Sequence, residues 1–144
     1  MPPSRPYVAY GSNMCRAQMA QRCPAARLLG ATRLPGRRFL INRQGWATLI
    51  AAPDAAAYGL VWALSADDER ALDLYENVAE AEYRKEAIVL AGHGTALIYI
   101  AADATPGRPR ADYLDIILDA ARAAAFPPGY QAELARWRAA PTPT

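Results

Sequence analysis

Two stretches of this chain carry groups suited to chemistry. In the first, the β-formers Tyr7, Val8, Ala9 and Tyr10 run into a polar Gly11-Ser12-Asn13 corner, and helix-forming residues from Met14 to Gln21 follow at once. A strand that enters a helix through such a corner leaves backbone N–H groups without intrahelical partners, and these groups bind anions or oxyanions. Gly11 allows a ligand close approach or a positive φ, and Ser12 or Asn13 can cap the helix. An ordinary capped helix start after an edge strand uses the same residue types, so the corner by itself leaves both readings open. The second stretch is Leu72-Asp73-Leu74-Tyr75-Glu76-Asn77-Val78. Glu76 closes a helix and so meets the negative pole of its dipole. Leu74, Tyr75 and Val78 would desolvate it, and both effects raise a carboxyl pKa. A carboxyl displaced in this way suits general acid/base work; a solvated surface residue like Glu80 and Glu82 is the other reading.

Other chemistries find little support. His93 is the single histidine, and Ala91-Gly92-His93-Gly94 reads as an exposed hairpin turn, which argues against a His-based triad or metal site. Cys15 and Cys23 fit no metal or redox spacing and read as reduced structural thiols. Neither a cofactor nor a metal is expected. A net charge of +2 is too small to predict binding to nucleic acid or a membrane surface. No apolar run approaches the roughly 20 residues that span a bilayer, and Met1 to Pro6 lacks the apolar core of a secretion signal. A cytoplasmic location is expected.

Short elements must hold these groups in place, because 12 prolines among 144 residues break the chain often. Met14 to Arg22 reads as a helix that stops before Pro24. Cys23 to Arg33 reads as broken, with a brief strand at Leu28 and Leu29, and Pro35-Gly36 signals a turn. Phe39 to Asn42 and Trp46 to Ala51 read as strands joined at Gln44-Gly45, the second ended by Pro53 and Asp54. Ala57 to Leu64 is an apolar strand buried on both faces. Ser65 opens a helix to Tyr75 or Glu76, with Asp67, Asp68 and Glu69 in its first turn and Asp68 placed for a capping box. Leu72 and Tyr75 fall on nearby parts of one face of it. Arg84 to Ala91 and Thr95 to Ala102 form a hairpin. Asp112 to Ala124 is a helix with Leu114, Ile117, Leu118 and Ala121 as its stripe, and Tyr130 to Arg138 is a last short helix. The sum is a single α+β domain over residues 1–144. It is a small mixed or antiparallel β-barrel of about six or seven short strands, with two to three helices packed outside. Residues 1–5 and 139–144 are expected to be flexible tails.

Several motifs, in order along the chain, carry a resemblance. Tyr10-Gly11-Ser12-Asn13-Met14 resembles the YGSN[LM] signature of the γ-glutamylcyclotransferase (AIG2-like) superfamily. Gly45-Trp46-Ala47-Thr48-Leu49 resembles its G-x-A-T-[IL] strand, and Tyr58-Gly59-Leu60-Val61-Trp62 its next strand. Leu72-Asp73-x-x-Glu76-x-Val78 resembles its LD-x-x-E-x-V segment, Tyr83-Arg84-Lys85 a following Y-x-[KRV] element, and Tyr99 falls on its A-x-x-Y strand. Ala125-Phe126-Pro127-Pro128-Gly129-Tyr130 resembles its closing G-x-P-x-x-Y, with Ala125 in place of glycine.

The resemblance implies a fold of that family and a reaction. In a γ-glutamyl amide the free α-amine attacks the γ-carbonyl, 5-oxoproline forms, and the amine leaves. Intramolecular attack of this kind reaches effective molarities on the order of 10⁵ M. Glu76 would be the catalytic acid/base. Gly11, Ser12 and Asn13 would hold the carboxylate or oxyanion, with Tyr10, Met14 and Tyr83 lining the pocket and Tyr99 bonded to Glu76 or the substrate. The partner implied is a small γ-glutamyl molecule, for a monomer or homodimer without cofactor. Arg33, Arg37, Arg38 and Arg43 read as an acid-recognising cluster or a solvated rim. A non-catalytic metabolite-binding module of the same fold is the alternative to an enzyme.

Overall fold

Strand β1 (Arg5–Ala9) runs through the middle of a five-stranded mixed sheet, and the candidate site hangs from its C-terminal end. The computed structural model describes residues 4–139. Hydrogen-bonded order is β2-β3-β1-β5-β4, where β2 is Arg27–Ile41, β3 Ala47–Leu64, β4 Tyr83–Leu90 and β5 Gly94–Ala101. β1 pairs antiparallel to β3, with Val8 opposite Val61, and parallel to β5, with Tyr7 opposite Leu97. The apolar β3 run is buried from Leu60 to Leu64, as a central strand covered on both faces should be. Four α-helices lie among the described residues: α1 (Arg16–Arg22), α2 (Ala66–Tyr75), α3 (Tyr113–Ala123) and α4 (Pro128–Ala135). None of them is long and apolar enough to cross a membrane.

The fold class is α+β, but among the described residues there are five strands rather than six or seven and four α-helices rather than two or three. The sheet is open, with β2 and β4 at its edges and a contact between Arg37 and Glu86 at 4.0 Å. The difference in strand number has one cause. Pro35-Gly36 is not a turn, and Pro53-Asp54 does not end a strand. Pro35 pairs with Ala56 and Arg37 with Ala51, so Gly36 alone faces Ala52, Pro53, Asp54 and Ala55. Gly36 takes φ +77 in this bulge. Pro53 falls in the excess, where no ladder hydrogen bond is lost. Four expected strand pieces therefore become two long bent strands.

Local signals on the other side of the sheet hold. Ser65 accepts from the Asp68 N–H at 3.1 Å and Asp68 accepts from the Ser65 N–H at 3.2 Å, a complete capping box at the start of α2. On that helix Leu72 is fully buried while Tyr75 is 45% exposed, so they do not share one burial environment. β4 and β5 form the hairpin, and His93 sits in its turn, partly buried rather than exposed. Of the expected tails, Arg5 belongs to β1 and bonds Glu69 at 3.2 Å, and the segments 1–3 and 140–144 lie outside the described residues.

Candidate active site

After β1 the chain makes one 3-10 turn over Ser12–Met14, closed by Met14 N–H to the Gly11 carbonyl at 3.0 Å and Cys15 N–H to the Ser12 carbonyl at 2.9 Å. Neither Ser12 nor Asn13 caps a helix with its side chain. Cys15 occupies the N-cap of α1. The Asn13 side chain instead accepts from Arg22 through Oδ1 and donates from Nδ2 to the Tyr7 hydroxyl at 3.0 Å. Gly11 has φ −117, so positive φ is not its reason. A Cβ there would stand 3.3 Å from the Ala47 Cβ and 3.4 Å from the Tyr113 hydroxyl, so close approach is.

This corner forms one wall of a cavity of about 170 Å³. Tyr7, Tyr10, Gly11, Ser12 and Asn13 come from β1 and the turn. Trp46 and Ala47 come from the start of β3, and Tyr113 from the start of α3. Tyr75 and Glu76 come from the end of α2, and Glu82, Tyr83 and Tyr99 complete the lining. Helix α2 stops there because Asn77 takes a left-handed φ of +54. Glu76 is thus presented at the helix terminus and is partly buried. Leu74, expected to shield it, is 82% exposed; the surrounding tyrosines do so instead.

Burial raises the Glu76 carboxyl from 4.5 to about 7, against the pull of the Arg22 guanidinium, with a smaller upward push from Glu82. Tyr7, Tyr10, Tyr83, Tyr99 and Tyr113 all titrate above the ordinary phenol range, chiefly through burial, and stay protonated. Tyr10 donates to the Tyr99 carbonyl at 2.5 Å and Tyr83 to the Ala47 carbonyl at 2.6 Å.

The expected residues assemble with two exceptions. Met14 is buried and lies outside this cavity, against a second hollow between α1 and α3. Tyr99 lines the cavity but gives its hydroxyl proton to Asp73 Oδ1 at 2.6 Å, not to Glu76. Glu82, expected on the surface, lines the cavity. Tyr75 lies beside Glu76 as expected, whereas Tyr7, Trp46, Ala47 and Tyr113 are not among the expected site residues. Tyr7 adjoins a recognisable motif, and Trp46 and Ala47 lie inside one; Tyr113 carries no such signal, because its place depends on how α3 packs on the corner. Arg33, Arg37, Arg38 and Arg43 do not line the cavity, and Arg43 pairs with Asp103 at 3.1 Å. Both cysteines are free. The second hollow is larger, about 610 Å³, but mostly apolar, and its carboxylate Asp119 already pairs with Arg122.

The protein is thus an α+β domain whose mixed sheet carries a glycine corner and a partly buried carboxyl lining one cavity. The chain belongs to the AIG2-like family, whose model matches residues 56–134. A structure named gamma-glutamyl cyclotransferase superposes with a TM-score of 0.83 at 25% identity, over 92% of this chain and 86% of that one. An uncharacterized protein from Homo sapiens matches with a TM-score of 0.83 at 26% identity and the same coverage. YkqA from Bacillus subtilis shares the fold at 18% identity and a TM-score of 0.81, covering 98% of this chain and 56% of that one. No curated protein matches the sequence.

Proposed function

We propose that this protein is a γ-glutamyl cyclotransferase, which releases 5-oxoproline and a free amine from a γ-glutamyl amide. The observation that carries the reading is the shared cavity: Glu76, with its carboxyl near 7, lines the same space as the Gly11-Ser12-Asn13 corner, together with protonated tyrosines. A carboxyl with that pKa can take a proton from the α-ammonium and return it to the leaving nitrogen at neutral pH. The corner supplies an amide-rich wall for the carboxylate or the developing oxyanion. The substrate brings its own nucleophile, so positioning and proton transfer suffice. The name of the structure matched at 25% identity supports the same activity. Free Cys15 and Cys23 suit a reducing cytoplasm.

The test is a panel of γ-glutamyl amides with 5-oxoproline detection, wild type against Glu76→Gln. Release by the wild type, with nearly all of it lost in the variant, is the expected result. Ligand-induced thermal stabilisation without product would instead mark a binding module.

A further inference from the structure

Four buried tyrosines and the partly buried Tyr113 line the cavity, and three have used their hydroxyl protons: Tyr10 on the Tyr99 carbonyl, Tyr83 on the Ala47 carbonyl and Tyr99 on Asp73. Tyr7 and Tyr113 differ. Arg22 can only donate, so the Asn13 oxygen must face it and the Asn13 NH₂ must face Tyr7. Tyr7 is therefore an acceptor in its 3.0 Å bond. Tyr113 is likewise an acceptor, from the Ala47 N–H at 3.1 Å. Among the described residues neither hydroxyl proton has an acceptor.

Both phenols stand at the corner. Tyr7 is bonded to Asn13, and the Tyr113 oxygen lies 3.4 Å from where a side chain on Gly11 would begin. Each ring is held edge-on, Tyr7 against Tyr99 at 5.7 Å and Tyr113 against Trp46 at 5.2 Å. An N–H donated to a phenol oxygen fixes it and strengthens its own O–H as a donor.

We propose that Tyr7 and Tyr113 are catalytic residues whose O–H groups bind the γ-carbonyl oxygen of the substrate as it becomes an oxyanion. The inference rests on the cyclotransferase reading. Glu76 first relays one proton from the α-ammonium to solvent; as the freed α-nitrogen bonds to the γ-carbon, the carbonyl π pair moves onto oxygen, where the two O–H groups receive it, and Glu76 takes a second proton from that nitrogen. When the oxyanion collapses, the bond to the leaving nitrogen breaks and Glu76 returns the proton there. Burial keeps both phenols protonated, and the nearby Glu76 carboxylate adds to this. Donors fixed before the reaction stabilise the transition state more than the substrate.

The experiment compares Tyr7→Phe and Tyr113→Phe with wild type on whichever γ-glutamyl amide is turned over. Each variant should lose about 10- to 100-fold in kcat, with KM within about twofold of wild type. Unchanged kcat in both, or a loss confined to KM, overturns the proposal. Because removing a hydroxyl also leaves Asn13 or Ala47 N–H without its acceptor, 3-fluorotyrosine at each position provides the control. It keeps acceptor and donor and should retain kcat within a few-fold, and a loss matching that of phenylalanine overturns the proposal. A wild type that releases no 5-oxoproline from any γ-glutamyl amide is a different failure, that of the functional reading itself.

Discussion

Asp73 receives the Tyr99 hydroxyl proton at 2.6 Å while its other oxygen meets Lys85 Nζ at 3.0 Å. Lys85 also pairs with Glu69, and Glu69 with Arg5 at 3.2 Å. This alternating chain ties α2 to β5, β4 and β1. Asp73 lies three residues before Glu76, so the chain holds the last turn of α2, from which the terminal carboxyl projects. Asp73→Ala should therefore lower stability by about 1–2 kcal/mol, mostly through the charged hydrogen bond, since half-exposed ion pairs add little. It should also lower kcat about tenfold, because a misaimed base loses the benefit of orientation. Urea unfolding beside steady-state kinetics checks both, and a variant with full activity would show that the network merely decorates the surface.

The raised Glu76 pKa makes a signed statement about pH. Its carboxyl titrates near 4.5 when unfolded and near 7 when folded, so the folded state holds the extra proton between these values. The corresponding stability is present below about pH 4.5 and is lost as pH rises through about 7. At pH 8 the ionised, partly exposed group costs on the order of 1–2 kcal/mol. Glu76→Gln should be more stable than wild type by that amount at pH 8 and equal to it near pH 4, as thermal melts across the range would report. Activity runs the opposite way: kcat/KM should fall about tenfold per unit below pH 7 as the base is protonated. A variant less stable than wild type at pH 8 would contradict the cost of the partly buried, ionised carboxyl.

Arg22 should move that pH profile. From the end of α1 it bonds the Asn13 oxygen and lies 3.7 Å over the Tyr75 ring, joining the corner to the end of α2. It is also the cation that draws the Glu76 carboxyl downward, opposed by Glu82. Arg22→Met should shift the acid limb of kcat/KM to higher pH and lower the plateau as well. Arg22→Lys should restore the limb more than the plateau, since an ammonium keeps the charge but not the planar stack. Carbon-13 carboxyl titration of Glu76 gives the same shift without turnover, and a carboxyl unmoved by Arg22→Met would defeat the expectation.

How much of this was legible beforehand depends on the range of the interaction. The Ser65–Asp68 capping box, the β4–β5 hairpin and the Gly11-Ser12-Asn13 corner are local, so neighbouring residues suffice to read them. Pro35-Gly36 and Pro53-Asp54 misled because they resemble chain breaks locally. Only the pairing of β2 with β3 shows that they lie at one shared bulge. Glu76 was visible as a helix-terminal carboxyl, but its shielding comes from tyrosines on other elements, not from Leu74 beside it. The partner of Tyr99 was missed for the same reason. Asp73 and Glu76 lie within one turn of α2, and the orientation of that helix against the sheet decides which of them meets Tyr99. Met14 closes the motif in sequence yet turns into the core, because the 3-10 turn rotates it away from its neighbours.

The departure at Ala125 carries a separate test. Helix α3 ends in a Schellman motif: Phe126 N–H bonds the Ala121 carbonyl at 3.1 Å and Ala125 N–H the Arg122 carbonyl at 3.0 Å. That geometry requires Ala125 to be left-handed, at φ +56, where a Cβ is strained by about 1–2 kcal/mol. The same Cβ restricts the unfolded chain, which offsets about 0.5–1 kcal/mol of the gain from its removal. Ala125→Gly should thus stabilise the protein by about 0.5–1 kcal/mol, raising Tm by about 1–4 °C, with kcat unchanged because the position lies outside the cavity. A lower Tm for the glycine variant would mean that chain entropy outweighs the relief of the left-handed strain at this helix end.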